Sequence, residues 1–139
     1  MRMRKITAWV GIGLIGVAAA LLLGLGERGV TYAAEEVRIG VLSPMTGPAA
    51  KFGQIHKNTL TMATEDVNNA GGIKSLGGAK INAIYADIQS EASVTRNQAE
   101  RLMATGNLAA ATGCYVSTYT LVATEVAERY KIPFVTGSV

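Results

Sequence analysis

Segments with the patterns of short β-strands and of amphipathic helices alternate along the chain between residues 38 and 135. The strand-like runs are residues 38–43, 80–87, 108–112 and 132–135. The helix-like runs between them are residues 52–69, 91–105 and 117–130. A strand joined to the next strand through a helix forms a crossover that is almost always right-handed and connects parallel strands. The pattern predicts a doubly wound α/β fold, in which helices cover both faces of a parallel sheet.

The run at residues 117–130 has the clearest helical pattern. Its apolar residues recur at intervals of three and four and would line one side of a helix, namely Tyr119, Val122, Ala123, Val126, Ala127 and Tyr130. The run at residues 52–69 has a shorter stripe of the same kind, namely Leu60, Ala63, Thr64 and Val67. We expect both helices to pack on the sheet through these stripes.

The beginning of the chain has the composition of an export signal. Three of the first five residues are basic, and residues 6–26 follow as 21 positions without an ionisable group. Small residues at Thr31 and Ala33 match the two positions that a signal peptidase reads, so we expect cleavage after Ala33, or after Ala34 as second choice, and a periplasmic protein. Because the apolar run is close to the ~20 residues that span a bilayer, an uncleaved membrane anchor is the alternative.

The basic character of the chain comes from this leader. From Ala34 to Val139 nine positive residues are balanced by nine negative ones, although the whole sequence has a pI near 9.2. No basic cluster occurs in that part, which argues against nucleic-acid binding. Residues 11–16 (GIGLIG) formally match a dinucleotide-binding fingerprint, but they lie in the leader without the preceding strand that the fingerprint needs. We therefore reject a nucleotide-binding enzyme.

The rest of the chain lacks the residue combinations that catalysis or metal binding requires. A cysteine nucleophile needs a base and an orienting group, whereas Cys114 and the single histidine, His56, lie in different segments. His56 has no second histidine or carboxylate at metal spacing, so we interpret it as a surface histidine. We expect no enzyme, no metal site and no cofactor.

The expected fold nevertheless indicates where a ligand would bind. In open α/β sheets ligands lie at the carboxyl ends of the strands, where helices begin. At one such end, Ser117 is a good N-cap for the third predicted helix, and the backbone N–H of Thr118 follows it in the first turn. A ligand carboxylate there would gain about 1.5–3 kcal/mol per charged hydrogen bond. Tyr115 precedes this cap by two residues, which places it at the rim of the predicted cleft.

Four stretches of the sequence form a specific combination. They are IGVLSPMTGPAAKFG at residues 39–53, VNNAGGI at 67–73, YAD at 85–87 and GCYVS at 113–117. Together they resemble the type I periplasmic solute-binding proteins of branched-chain amino-acid ABC transporters, from about Val37 to Val139. The resemblance implies a fold of two α/β lobes that close on a ligand, with this chain covering most of the N-terminal lobe. The chain stops four residues after its last predicted strand, and we therefore expect an incomplete lobe.

The resemblance also implies roles for individual residues. It implies that Ser117 holds the ligand carboxylate, that Phe52 borders the side-chain pocket and that Ser138 offers a main-chain contact. With the two residues placed by the helix start, the predicted ligand-binding residues are Ser117, Phe52, Ser138, Tyr115 and Thr118.

The resemblance bears on the single cysteine as well. Family members with a disulfide in this lobe carry cysteines at positions that match Ser90 and Val116. Neither position is a cysteine here, so the resemblance gives Cys114 no disulfide role.

The sequence therefore predicts a signal peptide at residues 1–33 and a partial N-terminal lobe of a solute-binding domain at residues 34–139. The implied function is capture of a small solute for an ABC importer, the solute being a branched-chain amino acid, an amide- or urea-like compound or an aromatic acid. The implied partners are that solute and the permease subunits, and we expect a monomer when the protein is full length. The alternative is a ligand-sensing receptor domain tethered by an uncleaved N-terminal anchor.

Overall fold

The computed structural model describes residues 36–137, and these form a four-stranded parallel sheet with three helices. The elements in chain order are β1 Val37–Ser43, α1 Ala50–Asn69, β2 Ile81–Asp87, α2 Ala92–Thr105, β3 Ala110–Gly113, α3 Ser117–Tyr130 and β4 Phe134–Val135. A short 3-10 turn, Lys74–Leu76, precedes β2. Each predicted strand and helix is present within about two residues of its expected bounds, and the α/β fold with a parallel sheet is confirmed.

The strands are ordered β2-β1-β3-β4 across the sheet. The crossover from β1 to β2 therefore runs in one direction, and the crossovers from β2 to β3 and from β3 to β4 run in the other. Because such crossovers are right-handed, α1 covers one face of the sheet and α2 and α3 cover the opposite face. We call these the α1 face and the α2/α3 face.

The central strand β1 is buried on both faces. Leu42 belongs to the cluster of buried apolar residues that α2 and α3 form with the sheet, together with Leu102 and Val126. Ser43, the next residue, points to the α1 face, where its hydroxyl donates a hydrogen bond to the carbonyl of Gly53. Because side chains alternate along a strand, one continuous apolar run serves both helix layers.

The two predicted helical stripes have different outcomes. The stripe of α3 is buried at Ala123, Val126 and Ala127 and becomes exposed only at its last member, Tyr130. The prediction that the α1 stripe packs on the sheet is wrong at Ala63 and Val67, because both residues are exposed. Within the described part of the chain α1 packs mainly on β1 and β2, so less of its surface is covered than that of α3, which packs on α2 and the sheet.

The predicted leader, with its export signal or membrane anchor, lies outside the described residues. Among residues 36–137 no helix is both long and apolar enough to cross a membrane.

Candidate functional site

The carboxyl ends of the strands border a cavity of about 270 Å³. Parallel open sheets bind ligands at this edge because loops and helix N-termini meet there. The residues that line it are His56, Thr112, Gly113, Tyr115, Thr136 and Gly137. None of these side chains is a carboxylate or an amine, so the described part of the wall combines apolar surface with polar groups and carries no fixed charge.

A close contact between β1 and α1 positions the first part of this wall. Gly53 is buried, and a Cβ added to it would lie 2.0 Å from the carbonyl oxygen of Pro44. The missing side chain therefore lets α1 approach the end of β1. Phe52 and His56 lie one turn apart on α1 and share the side of the helix that meets the cavity.

His56 differs from its sequence interpretation as a surface histidine. It is half-buried, it lines the cavity, and its Nδ1 lies 3.2 Å from the hydroxyl oxygen of the buried Ser43. Burial lowers the pKa of the imidazole below its ordinary value of 6.5, so the ring is neutral at pH 7. The i, i+4 spacing from Phe52, a residue already assigned to the site, was the one sequence signal that pointed to this position.

An unusual turn follows β3 and forms the opposite part of the wall. Gly113, Cys114 and Tyr115 have positive φ angles of 134°, 76° and 62°. This region is costly for residues with a side chain, by about 1–3 kcal/mol each, and such conformations cluster at functional sites. The backbone N–H of Cys114 donates to the carbonyl of Leu42 across 2.7 Å, which fixes the turn against β1.

This turn brings Tyr115 onto Phe52. The two rings are stacked with centroids 4.5 Å apart and an interplanar angle of 12°. Both side chains remain exposed, so the pair forms an aromatic surface beside the cavity rather than part of the core. The structure thus brings together two of the five predicted ligand-binding residues, one from the first turn of α1 and one from the turn after β3, which are 63 positions apart in sequence.

Ser117 and Thr118 lie at the beginning of α3, and both are exposed. The predicted N-cap role of Ser117 is wrong, because the N-cap is Val116 and Ser117 is the first residue inside the helix. The carbonyl of Val116 accepts the backbone N–H groups of Tyr119 and Thr120, each at 3.0 Å, and this sets the helix boundary one residue earlier. Ser117 and Thr118 are not among the residues that line the cavity. They follow the lining residue Tyr115 by two and three positions in the chain.

The loop between β1 and α1 is held by a carboxylate from β2. The Asp87 carboxylate accepts hydrogen bonds from the backbone N–H groups of Met45 and Gln89, both at 2.9 Å, and from the hydroxyl of Thr46 at 2.7 Å. Burial acts to raise the pKa of Asp87, but these hydrogen bonds outweigh it and hold the pKa below its ordinary value. The charged form therefore stabilises the loop at neutral pH.

Ser90 links this loop to α3. Its hydroxyl donates to the carbonyl of Thr46 at 2.8 Å and accepts the backbone N–H of Ala49 at 3.1 Å. Its own carbonyl accepts the hydroxyl of Tyr119 at 2.6 Å. Hydrogen bonds thus connect the site loops at Ser90, a contact that sequence reasoning missed because its partners are distant in the chain.

Cys114 is a free, fully buried cysteine. Burial raises the pKa of its thiol to about 12, so the reactive thiolate is not formed near neutral pH. The residue fills space beneath the turn that carries Tyr115.

Two further predictions concern other parts of the site. Ser138 lies outside the described residues, as does the main-chain contact predicted for it. Over residues 36–137, no group of three or more histidine, cysteine or acidic residues is arranged to hold a metal ion.

Comparison with known proteins gives a consistent result. A family model described as periplasmic binding protein matches residues 36–139. An amino acid binding protein of Pseudomonas aeruginosa is 34% identical over 124 residues, which are 89% of this chain and 31% of that protein. A Leu/Ile/Val-binding protein homolog of Brucella suis is 31% identical over 118 residues, which are 85% of this chain and 28% of that protein.

The comparison with solved structures agrees with these sequence matches. The crystal structure of a leucine binding protein, LivK, from Thermotoga maritima has a TM-score of 0.66 and 28% identity, and the match covers 74% of this chain and 28% of that one. The chain therefore spans about three tenths of the length of the relatives it matches.

The family match covers most of the chain, and the matched proteins are solute-binding proteins rather than enzymes. This confirms both the family resemblance and the expectation of a non-enzymatic protein. From residue 36 onward, the chain belongs to the periplasmic binding protein family.

Proposed function

We propose that this chain is part of the extracytoplasmic solute-binding component of an ABC importer. The observation that supports this most directly is the cavity at the carboxyl ends of the strands, which is lined by Tyr115, whose ring stacks on that of Phe52. An apolar surface beside hydroxyl and N–H groups suits a small solute with an apolar and a polar end.

The solute we propose carries a carboxylate or an amide. Ser117 and Thr118 occupy the first turn of α3, where the helix dipole favours a negative group. The stacked aromatic pair would take an aliphatic or aromatic side chain. Relatives described as amino acid binding and as Leu/Ile/Val-binding support an amino acid as the first candidate.

Binding and delivery require more than the described residues. We propose that the complete gene product contains a second lobe, that closure of the two lobes holds the solute, and that the closed form docks on permease subunits as a monomer. The length of the relatives, of which this chain matches about three tenths, supports this.

Export can be tested separately from binding. We propose that residues 1–33 are a signal peptide and that the protein is periplasmic. N-terminal sequencing of the protein from the producing cell should begin at Ala34, or at Glu35 by the second cleavage choice. An intact Met1 on a membrane-bound product would instead support the tethered sensor.

The ligand site is tested by Ser117→Ala in the complete gene product. A thermal-shift screen against amino acids, amides, urea-like compounds and aromatic acids should first identify a ligand. Loss of one charge-assisted hydrogen bond, about 1.5–3 kcal/mol, should then weaken its binding roughly 10- to 100-fold by calorimetry.

A matched control is Ser93→Ala, because Ser93 is also exposed and lies in the first turn of a helix, α2. That variant should bind as the parent does. Equal affinity of Ser117→Ala and the parent would remove Ser117 from the site.

A further inference from the structure

The half-buried His56 is the one titratable side chain in the described wall of the cavity besides the phenol of Tyr115. Its ring has two nitrogens with different surroundings. Nδ1 lies 3.2 Å from the hydroxyl oxygen of Ser43, whereas Nε2 has no hydrogen-bond partner among residues 36–137. The ring therefore bridges the end of β1 and the cavity.

The hydrogen bonds of Ser43 favour one position for the proton of the imidazole ring. The Ser43 hydroxyl has one proton, and it donates this proton to the carbonyl of Gly53 at 3.2 Å. With that donation in place, the same oxygen accepts from Nδ1, and in this tautomer Nδ1 carries the proton. In a neutral imidazole the other nitrogen, Nε2, is consequently an acceptor with a free lone pair.

Other features of the cavity fit this arrangement. Burial disfavours the charged imidazolium, which keeps Nε2 unprotonated near pH 7. The hydroxyl of Thr112 lies on the same wall, and none of the six lining residues supplies a carboxylate. In this part of the wall, therefore, the side-chain acceptors that a ligand N–H can meet are an imidazole nitrogen and hydroxyl oxygens.

We propose that Nε2 of His56 is a ligand-recognising acceptor, which receives a hydrogen bond from an N–H group of the solute. The inference rests on the proposed solute-binding function and adds a specificity residue to it. The N–H group belongs either to an ammonium, as in an amino acid, or to a carboxamide. Ser43 acts as a positioning residue, since its hydrogen bond to Gly53 selects the tautomer.

The tautomer is measured first, without any ligand. Long-range proton–nitrogen NMR of the complete gene product, labelled with ¹⁵N-histidine, should show Nδ1 protonated and Nε2 unprotonated at pH 7. The His56 signal is identified by its absence from the His56→Gln variant. Ser43→Ala should release this preference. A protonated Nε2 in the folded parent would overturn the proposal.

The recognition itself is measured with paired probes that differ only in their N–H groups. L-leucine is compared with its N,N,N-trimethyl derivative, and isovaleramide with N,N-dimethylisovaleramide, each titrated into the parent and into His56→Leu. Loss of one hydrogen bond corresponds to about a 3- to 10-fold change in Kd. The penalty for methylation should be larger in the parent than in His56→Leu by this factor for the pair that uses His56.

The comparison separates steric from hydrogen-bond effects, because added methyl groups clash in both proteins. His56→Gln keeps an acceptor and should restore part of the difference, and circular dichroism with a thermal midpoint verifies that each variant is folded. A methylation penalty that is equal in the parent and in His56→Leu for both pairs overturns the inference alone. Failure of all four probes to bind the parent counts against the proposed function, and the inference falls with it.

Discussion

The two faces of the sheet are built differently. On the α2/α3 face, Leu42, Leu102 and Val126 form a closed apolar core, and Arg96–Glu125 and Arg129–Glu100 ion pairs join the two helices at the surface. On the α1 face, Val41 and Ser43 are buried beneath α1. Val135 at the other end of the same face is 66% exposed, so that face is open over β3 and β4 in the described part of the chain.

The difference separates the residues that stabilise the fold from those assigned to the site. The described site residues lie on the α1 face or in the loops at its edge. His56 comes from α1, Thr112 from β3, and Tyr115 from the turn after β3. A ligand needs accessible groups, and the α1 face leaves them accessible because its helix covers only part of the sheet. On the α2/α3 face, the side chains between the helices and the sheet are buried in the core. That face therefore supports the site rather than contacting a ligand.

The largest expected effect comes from a substitution in the core of the α2/α3 face. Leu102→Ala removes a side chain that is 5% exposed and packed in the core cluster. Deletion of such a buried side chain should lower the free energy of unfolding by about 2–5 kcal/mol, measured by urea denaturation. The matched variant on the open face is Met62→Ala, whose side chain is 65% exposed and should change stability by about 0.5 kcal/mol or less. Similar losses in the two variants would contradict the comparison.

An intermediate effect on stability is expected from a substitution where α1 packs against the end of β1. Gly53→Ala would place a Cβ 2.0 Å from the backbone oxygen of Pro44, so α1 must move away from the strand. We expect a loss of about 1–3 kcal/mol in unfolding free energy. Gly137→Ala is the control for stability, because among the described residues no atom beyond its chain neighbours lies within 4 Å of the added Cβ. A Gly53→Ala variant as stable as this control would show that the close approach is not required.

The smallest expected effect is the pH dependence that His56 contributes. Because burial lowers its pKa in the folded state below 6.5, the unfolded chain takes up the proton more readily. The stability contribution is therefore present above pH 6.5 and is lost as the pH falls below that value. Urea unfolding at pH 7.5 and pH 5 should show a larger loss for the parent than for His56→Gln. The same loss in both would mean that burial does not perturb this histidine.

Much of the fold was predictable because it depends on local patterns. Apolar runs bounded by glycine and proline located the strands, and three- and four-residue periodicity located the helices, each within about two residues. The burial of α1 was not predictable in this way. Val67 falls on an apolar stripe, but periodicity states only which residues share a side of a helix, and packing depends on how much of the sheet lies beneath it.

The site was predictable only in outline. The rule that ligands bind at the carboxyl ends of parallel strands pointed to the edge of the sheet that borders the cavity, and Tyr115 lines that cavity. It could not show that Tyr115 stacks on Phe52, since that contact depends on three successive positive φ angles after β3. The capping preference of serine assigned the N-cap to Ser117, whereas hydrogen bonds to the carbonyl of Val116 begin the helix one residue earlier.

The sequence by itself determined the alternation of elements, the parallel sheet and the family, because each follows from short-range patterns and motifs. Tertiary structure alone decided that His56 lines a cavity and that its Nδ1 lies beside the hydroxyl of Ser43. These facts depend on the approach of α1 to β1 at Gly53, where a hydrogen atom replaces a side chain. A linear pattern cannot encode a 3.2 Å contact between residues 13 positions apart, because that contact exists only once the helix has packed on the strand.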